Sequence, residues 1–239
     1  MSKEDRVPSV KSVSTGARRL PPEQRRREIV TKAVEFFAAH GFEEGTRELA
    51  NHLGITQPLL YRYFPTKEAI IEEVYKEMYL GVWKNSWDEL LINRQIPLQD
   101  RLREFYNEYT DAIMNEQWMR IYFFSGLRGA DINKKYIKFI EERILRRIIL
   151  EFIHEYKVNI EQITMNRQME IAWLMQGAIF YYGVRLYVYG IETYASKNEV
   201  IDDAIRIFFA GYRDIVENHF DLLRDTQNSD QTISKKIYF

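Results

Sequence analysis

Apolar residues return every three or four positions along nearly all of this chain, and no stretch alternates apolar with polar residues in the two-residue period of a strand. The pattern predicts an all-α protein. Pro21-Pro22-Glu23 is a helix-start signal, with proline in the first turn and an acid near the positive end. Ile29, Ala33, Phe36 and Phe37 then share one stripe, and Gly41 ends that helix. Between Thr46 and Lys67 two short helices follow. Thr46 is read as the N-cap of the first, with Leu49, Ala50 and Leu53 facing inward. Gly54 supplies a positive-φ turn, and Thr56 caps the second, where Leu60 and Phe64 lie four apart on one face. Two short helices, a glycine turn and a supporting third helix predict a helix-turn-helix.

From Thr66 onward the periodicity predicts longer helices. One runs from Lys67 to about Leu91 and connects the first unit to the rest. Pro97 opens another, with Leu98, Leu102, Phe105, Tyr109 and Ile113 on one side. A short helix covers Trp118 to about Leu127. Asp131 caps the next, which turns Ile137, Ile140, Ile144, Ile148 and Phe152 inward. Thr164 to Val188 is apolar nearly all round and must be covered on more than one side. Ser196-x-x-Glu199 is a capping box, and it opens a helix with Ile201, Ile205, Phe208, Tyr212, Ile215 and His219 in register.

Composition narrows the class. The 239 residues are 46% hydrophobic and 29% charged, a globular balance, and contain no cysteine. Disulfides, thiolate catalysis and cysteine-based zinc sites are therefore excluded, and a reducing cytoplasm is the expected location. No secretory leader or membrane span is expected. The net charge of −1 hides an asymmetry: residues 1–67 carry 12 Lys/Arg against 8 Asp/Glu, and the remainder 22 against 27. A basic reader on an acidic body has that signature. The expected division is a basic arm over 1–20, a helix-turn-helix over 21–66, a helical body over 67–224 and a polar tail over 225–239. Lys11, Arg18, Arg19 and the Arg25-Arg26-Arg27 cluster suit phosphates or a minor groove; a solubilising leader explains the first fifteen residues equally well.

The chemistry concentrates on the second short helix. With Leu60 and Phe64 turned in, Gln57, Pro58, Leu59, Tyr61 and Arg62 cover the outer surface, and amides and guanidiniums there suit base edges in a major groove. The run from Ile29 to Ile70 resembles the DNA-binding domain of the tetracycline-repressor (TetR) family. The resemblance rests on Phe36-Phe37 with Gly41-Phe42, then Arg47-Glu48-Leu49-Ala50, Leu53-Gly54-Ile55-Thr56, Leu60-Tyr61-Arg62-Tyr63-Phe64 and Thr66-Lys67-Glu68. The link from Gly41 to Ala50 departs from the family pattern, being one residue shorter, with Gly45 where a packing or capping residue is usual. The resemblance implies base contact by Gln57, Pro58 and Leu59, with Arg62 on the same face, and a groove-edge or phosphate contact by Arg47. It implies phosphate contacts by Thr56, Tyr61, Tyr63 and Lys67, with Thr46 beside them. It also implies a homodimer formed by the last two long helices, where Ile205, Phe208, Phe209, Tyr212 and Val216 are the candidate interface residues.

An effector pocket is expected in the body, where most of the 16 Tyr, 14 Phe and 4 Trp lie. The candidate lining is Tyr106, Trp118, Tyr122, Phe123, Trp173, Gln176, Phe180 and Arg185. An aromatic at helical spacing is more often core than pocket. Gln176 and Arg185 stand out because a polar group among apolar neighbours requires a partner, although the dimer interface would suit them too. Arg185 in a cavity would suit an anionic or carbonyl-bearing effector. His40, His52, His154 and His219 show no metal-like spacing, and no phosphate loop or nucleophile elbow occurs, so neither enzyme activity, cofactor nor metal is expected. The reading is a ligand-responsive regulator of transcription, a repressor released from a near-palindromic duplex site by a small molecule. Two readings compete: a DNA-binding protein without an effector, controlled by a partner or organising the chromosome, and a helical carrier or enzyme whose helix-turn-helix reads no DNA.

Overall fold

The computed structural model describes residues 21–127, 131–157 and 163–215. Among these there is no strand, and the all-α expectation is met. Three helices form the N-terminal unit: α1 Pro22–His40, α2 Thr46–His52 and α3 Gln57–Tyr63. The body comprises α4 Lys67–Tyr75, α5 Asn85–Ile92, α6 Leu98–Ile113, α7 Glu116–Leu127, α8 Asp131–Ile140, α9 Arg146–Tyr156, α10 Met165–Gly183 and α11, residues 197–215. Five-residue π-helical turns extend α4 over Lys76–Leu80, join α8 to α9 over Glu141–Leu145 and extend α10 over Val184–Val188. The arm, the polar tail, Val216 and His219 lie outside the described residues. No described helix is long and apolar enough to cross a membrane.

The helix expected from Lys67 to Leu91 is broken. After the π-helical turn the chain leaves helical geometry over 81–84 and restarts at Asn85. A Cβ on Gly81 would lie 2.9 Å from the carbonyl oxygen of Glu77, so the tight exit needs glycine. Other local signals hold. Thr164 accepts from the Arg167 N–H as the cap of α10. Ser196 and Glu199 form the reciprocal capping box, with Ser196 N donating to Glu199 Oε2 at 2.8 Å and Glu199 N to Ser196 Oγ at 3.3 Å.

One apolar core runs from α1 through α11. Within the body, Arg101 is side-chain buried to 1% exposure, an arrangement that needs partners. It donates to the Leu91 carbonyl at 2.6 Å, to Glu151 at 3.0 Å and to Glu155 at 3.2 Å. Arg94 closes the cluster with a bidentate pair on Glu151 at 2.9 and 3.1 Å. Burial disfavours the Glu151 carboxylate, but hydrogen bonds from Arg94 and Arg101 outweigh it and hold its pKa below the ordinary 4.5.

Contacts with α7 help to seat the N-terminal unit on the body. Arg120 of α7 donates from Nε to the Ala38 carbonyl at 3.0 Å, satisfying a C-terminal orphan of α1. Beside it, Gly41 turns with φ +75°, and the Phe124 ring lies 3.5 Å from where its Cβ would be.

Candidate nucleic-acid interface

The α2–α3 pair is built as its turn chemistry dictates. Gly54 adopts φ +65° with nothing near its missing side chain, so backbone geometry alone requires glycine there. Thr56 accepts from the Leu59 N–H at 3.3 Å and caps α3. Leu60 and Phe64 are fully buried, which turns Pro58, Tyr61 and Arg62 to solvent and leaves Gln57 and Leu59 half-exposed beside them. Arg47 is exposed on α2.

Thr46 corrects one expectation. It is the first residue inside α2, and Gly45 is the N-cap, without a side-chain bond. The Thr46 hydroxyl turns inward instead, receiving the Gln57 amide N–H at 2.9 Å and lying 2.8 Å from the Tyr61 hydroxyl. Lys67 is likewise engaged within the chain: its ammonium donates to the Phe42 carbonyl at 2.6 Å, tying the start of α4 to the link after α1. Tyr63 is half-buried, and its carbonyl accepts from Arg26 at 2.8 Å. The Arg26 guanidinium lies 4.3 Å from the centre of the Phe64 ring and pairs with Glu73 at 3.4 Å. Arg26 thus completes the C-terminal end of α3, where a cation suits the helix dipole, while Arg25 pairs with Glu28 at 2.8 Å. The role of Arg26 was not legible in the basic cluster that contains it.

Residues 29–74 match the family model described as bacterial regulatory proteins, tetR family. The likeness to the tetR family is thus carried by the N-terminal unit and the start of α4. A transcriptional activator, FasR of Mycolicibacterium smegmatis, is 29% identical over 113 residues, which cover 44% of this chain and 48% of that protein. The match thus spans about half the length of this curated relative. A TetR-like transcriptional regulator from Rhodococcus sp. RHA1 has the same fold at 18% identity, with a TM-score of 0.60, covering 81% of this chain and 100% of that one. A TetR family transcriptional regulator from Pseudomonas syringae pv. tomato is 14% identical, with a TM-score of 0.56, covering 78% and 95%.

In the body, some of the expected pocket residues meet and others do not. Trp118 stacks on Tyr122 at 5.3 Å, and Phe180 meets Tyr122 at 5.1 Å and Phe123 at 6.3 Å. Tyr106 donates its hydroxyl to Gln176 at 2.9 Å, so these two buried groups satisfy each other. Trp173 reaches Glu141 at 3.2 Å. Arg185 lies 5.9 Å from the Tyr181 ring centre, with its Nε buried and without a hydrogen-bond partner. Tyr79 and Tyr136, absent from the expected lining, complete the cluster: their rings lie 5.2 and 5.5 Å from Trp118. The Tyr136 and Tyr109 hydroxyls bond to each other, and burial pushes both phenols up. No residue type distinguishes Tyr79 in the sequence; its membership follows from the path of α4.

The candidate dimer residues fall on the inner side of α11. Ile205, Phe208, Phe209 and Tyr212 are buried in the chain's own core, the last three in ring contact with Phe152. The outward apolar residues are Leu174 on α10, 70% exposed, and Ile207 on α11, 72% exposed. Together with Ala178, Gly211 and Ile215 they edge a groove of about 170 Å³, floored in part by Phe208 and Tyr212.

Proposed function

We propose that this transcriptional regulator binds duplex DNA as a homodimer, placing α3 of each subunit in a major groove, and that it represses transcription until a small-molecule effector releases it. The proposal divides the chain into an arm over 1–20, a reader over 21–66, a body over 67–224 and a tail over 225–239. The observation that carries it is the outer face of α3: Gln57, Pro58, Leu59, Tyr61 and Arg62 lie on one side of a helix pinned from behind by Leu60 and Phe64, with Arg47 adjacent. In this reading Gln57, Pro58, Leu59, Arg62 and Arg47 face base edges, and Thr56, Tyr61 and Tyr63 face phosphates, with Thr46 and Lys67 behind them. Half-sites are then about 34–36 Å apart or a multiple of that spacing.

The pairing surface is the α10–α11 groove, because two copies of Leu174 and Ile207 cover each other there and the small Ala178 and Gly211 allow close helix approach. The effector site is the aromatic cluster around Trp118, Tyr122, Phe123 and Phe180, next to the contacts that seat α7 on α1 and α4. An effector must bind the released form more tightly for this to work. The likeness to a relative named as an activator favours a second reading, in which the occupied site raises transcription.

Selection of bound duplexes from random DNA tests the reading. Gln57→Ala is expected to lose about 1–3 kcal/mol of discrimination at one position of each half-site; an unchanged preference refutes the base-reading role. Ile207→Asp is expected to yield a monomer by sedimentation, with binding to the paired site lost. A dimer that survives this change excludes the groove as the interface.

A further inference from the structure

Thr46 joins two groups that the DNA-binding reading assigns to different tasks. Its hydroxyl receives the Gln57 amide N–H at 2.9 Å and lies 2.8 Å from the Tyr61 hydroxyl. Thr46 is 9% exposed, whereas Tyr61 is 40% exposed and faces outward. A threonine hydroxyl has one proton and two lone pairs. With a lone pair engaged by Gln57, its own proton can pass to the Tyr61 oxygen, which leaves the tyrosine proton directed away from the protein. That is the direction a phosphate requires, since phosphate oxygens accept and do not donate. The reversed amide would place Gln57 Oε1 on Thr46, draw the Thr46 proton to it, and turn the Tyr61 proton inward.

Resting on that DNA-binding reading, we infer that Thr46 is a positioning residue that couples phosphate grip to base choice. When Tyr61 donates to a phosphate, the Gln57 amide is held with Nε2 inward and Oε1 presented to the base edge. An outward acceptor selects a base with an exocyclic amino group. Adenine is the better match, because its N7 also accepts the remaining Nε2 proton, whereas cytosine offers no second partner. The hydrogen-bonded chain runs from Gln57 through Thr46 and Tyr61 to the phosphate, and each link polarises the next. Tyr61 therefore does more than add affinity: losing its hydroxyl frees the Thr46 proton for Gln57 and lets the amide reverse.

The experiment uses the full-length protein and the duplex position at which Gln57→Ala loses discrimination. That position is expected to hold an A·T pair. Replacing its adenine with purine, which lacks the amino group, is expected to weaken wild-type binding roughly threefold to tenfold. Thr46→Val and Tyr61→Phe are expected to abolish that dependence, and Thr46→Ser to keep it. Tyr61→Phe alters an exposed group and Thr46→Ser retains the hydroxyl, so the contrast does not depend on the folding of the valine variant. A G·C pair at the position, wild-type indifference to purine, or full amino dependence in Tyr61→Phe overturns the inference while leaving DNA binding intact. A wild-type protein that selects no sequence removes the DNA-binding reading itself.

Discussion

The N-terminal unit and the body of this chain solve the problem of placing polar groups in opposite ways. In the N-terminal unit three neutral groups near the surface, Thr46, Gln57 and Tyr61, hold one another through single hydrogen bonds across two seven-residue helices. In the body an ionised pair is enclosed, Arg101 of α6 with Glu151 of α9, and the more exposed Glu155 and Arg94 edge it. Helices as short as α2 and α3 are marginal alone, so their stability comes from packing on α1 and from the links made by Arg26, Lys67 and Arg120. A body locked by buried charge contrasts with a thin reading edge held by neutral hydrogen bonds.

The sharpest break of that contrast is Arg101→Met. It leaves Glu151 enclosed with Arg94 as its remaining charged partner, and about 3–5 kcal/mol of stability is expected to vanish in urea unfolding. A loss below about 1 kcal/mol would mean that the cluster is decoration. Acid provides the next test. Because the Glu151 pKa is lowered in the folded chain, its contribution is present above the ordinary 4.5 and disappears as pH falls through the lower folded value. Stability is expected to drop below about pH 4.5 in the wild-type protein, and less steeply in Arg101→Met. The smallest effect belongs to the reader. Thr56→Ala removes the α3 cap and is expected to cost about 1 kcal/mol, seen as faster amide exchange over residues 57–63 with the body unchanged. Exchange that rises throughout the chain would show the two regions to be one cooperative unit.

What the sequence revealed divides along similar lines. Local signals were legible: the Gly54 turn, the Thr56 cap and the Ser196–Glu199 box each depend on residues within a few positions. The break after Leu80 was hidden because Tyr75, Tyr79, Trp83, Trp87 and Leu91 keep a four-residue spacing across it, all buried except the half-buried Trp83, so the apolar phase continues where the helix does not. The outward face of α11 was obscured for a related reason. Ile205, Phe208 and Tyr212 form one apolar stripe and Ile207 and Gly211 another, and periodicity cannot say which stripe meets the chain's own core. Thr46 was misassigned as a cap because its true partners sit on another helix, and only the crossing of α2 and α3 brings them within reach.

On the proposed reading, the interruption at Gly81 makes the segment from Lys67 to Leu80 a lever with its pivot in the aromatic interior, where Trp118 donates to the Met78 carbonyl. Fourteen residues of helix measure about 20 Å, so a tilt of ~5° at the pivot swings the far end by roughly 2 Å. On that reading, a movement too small to disturb the packing around Trp118 would then be magnified where the chain enters the reader, enough to misalign the reading helices of the proposed dimer against a rigid double helix.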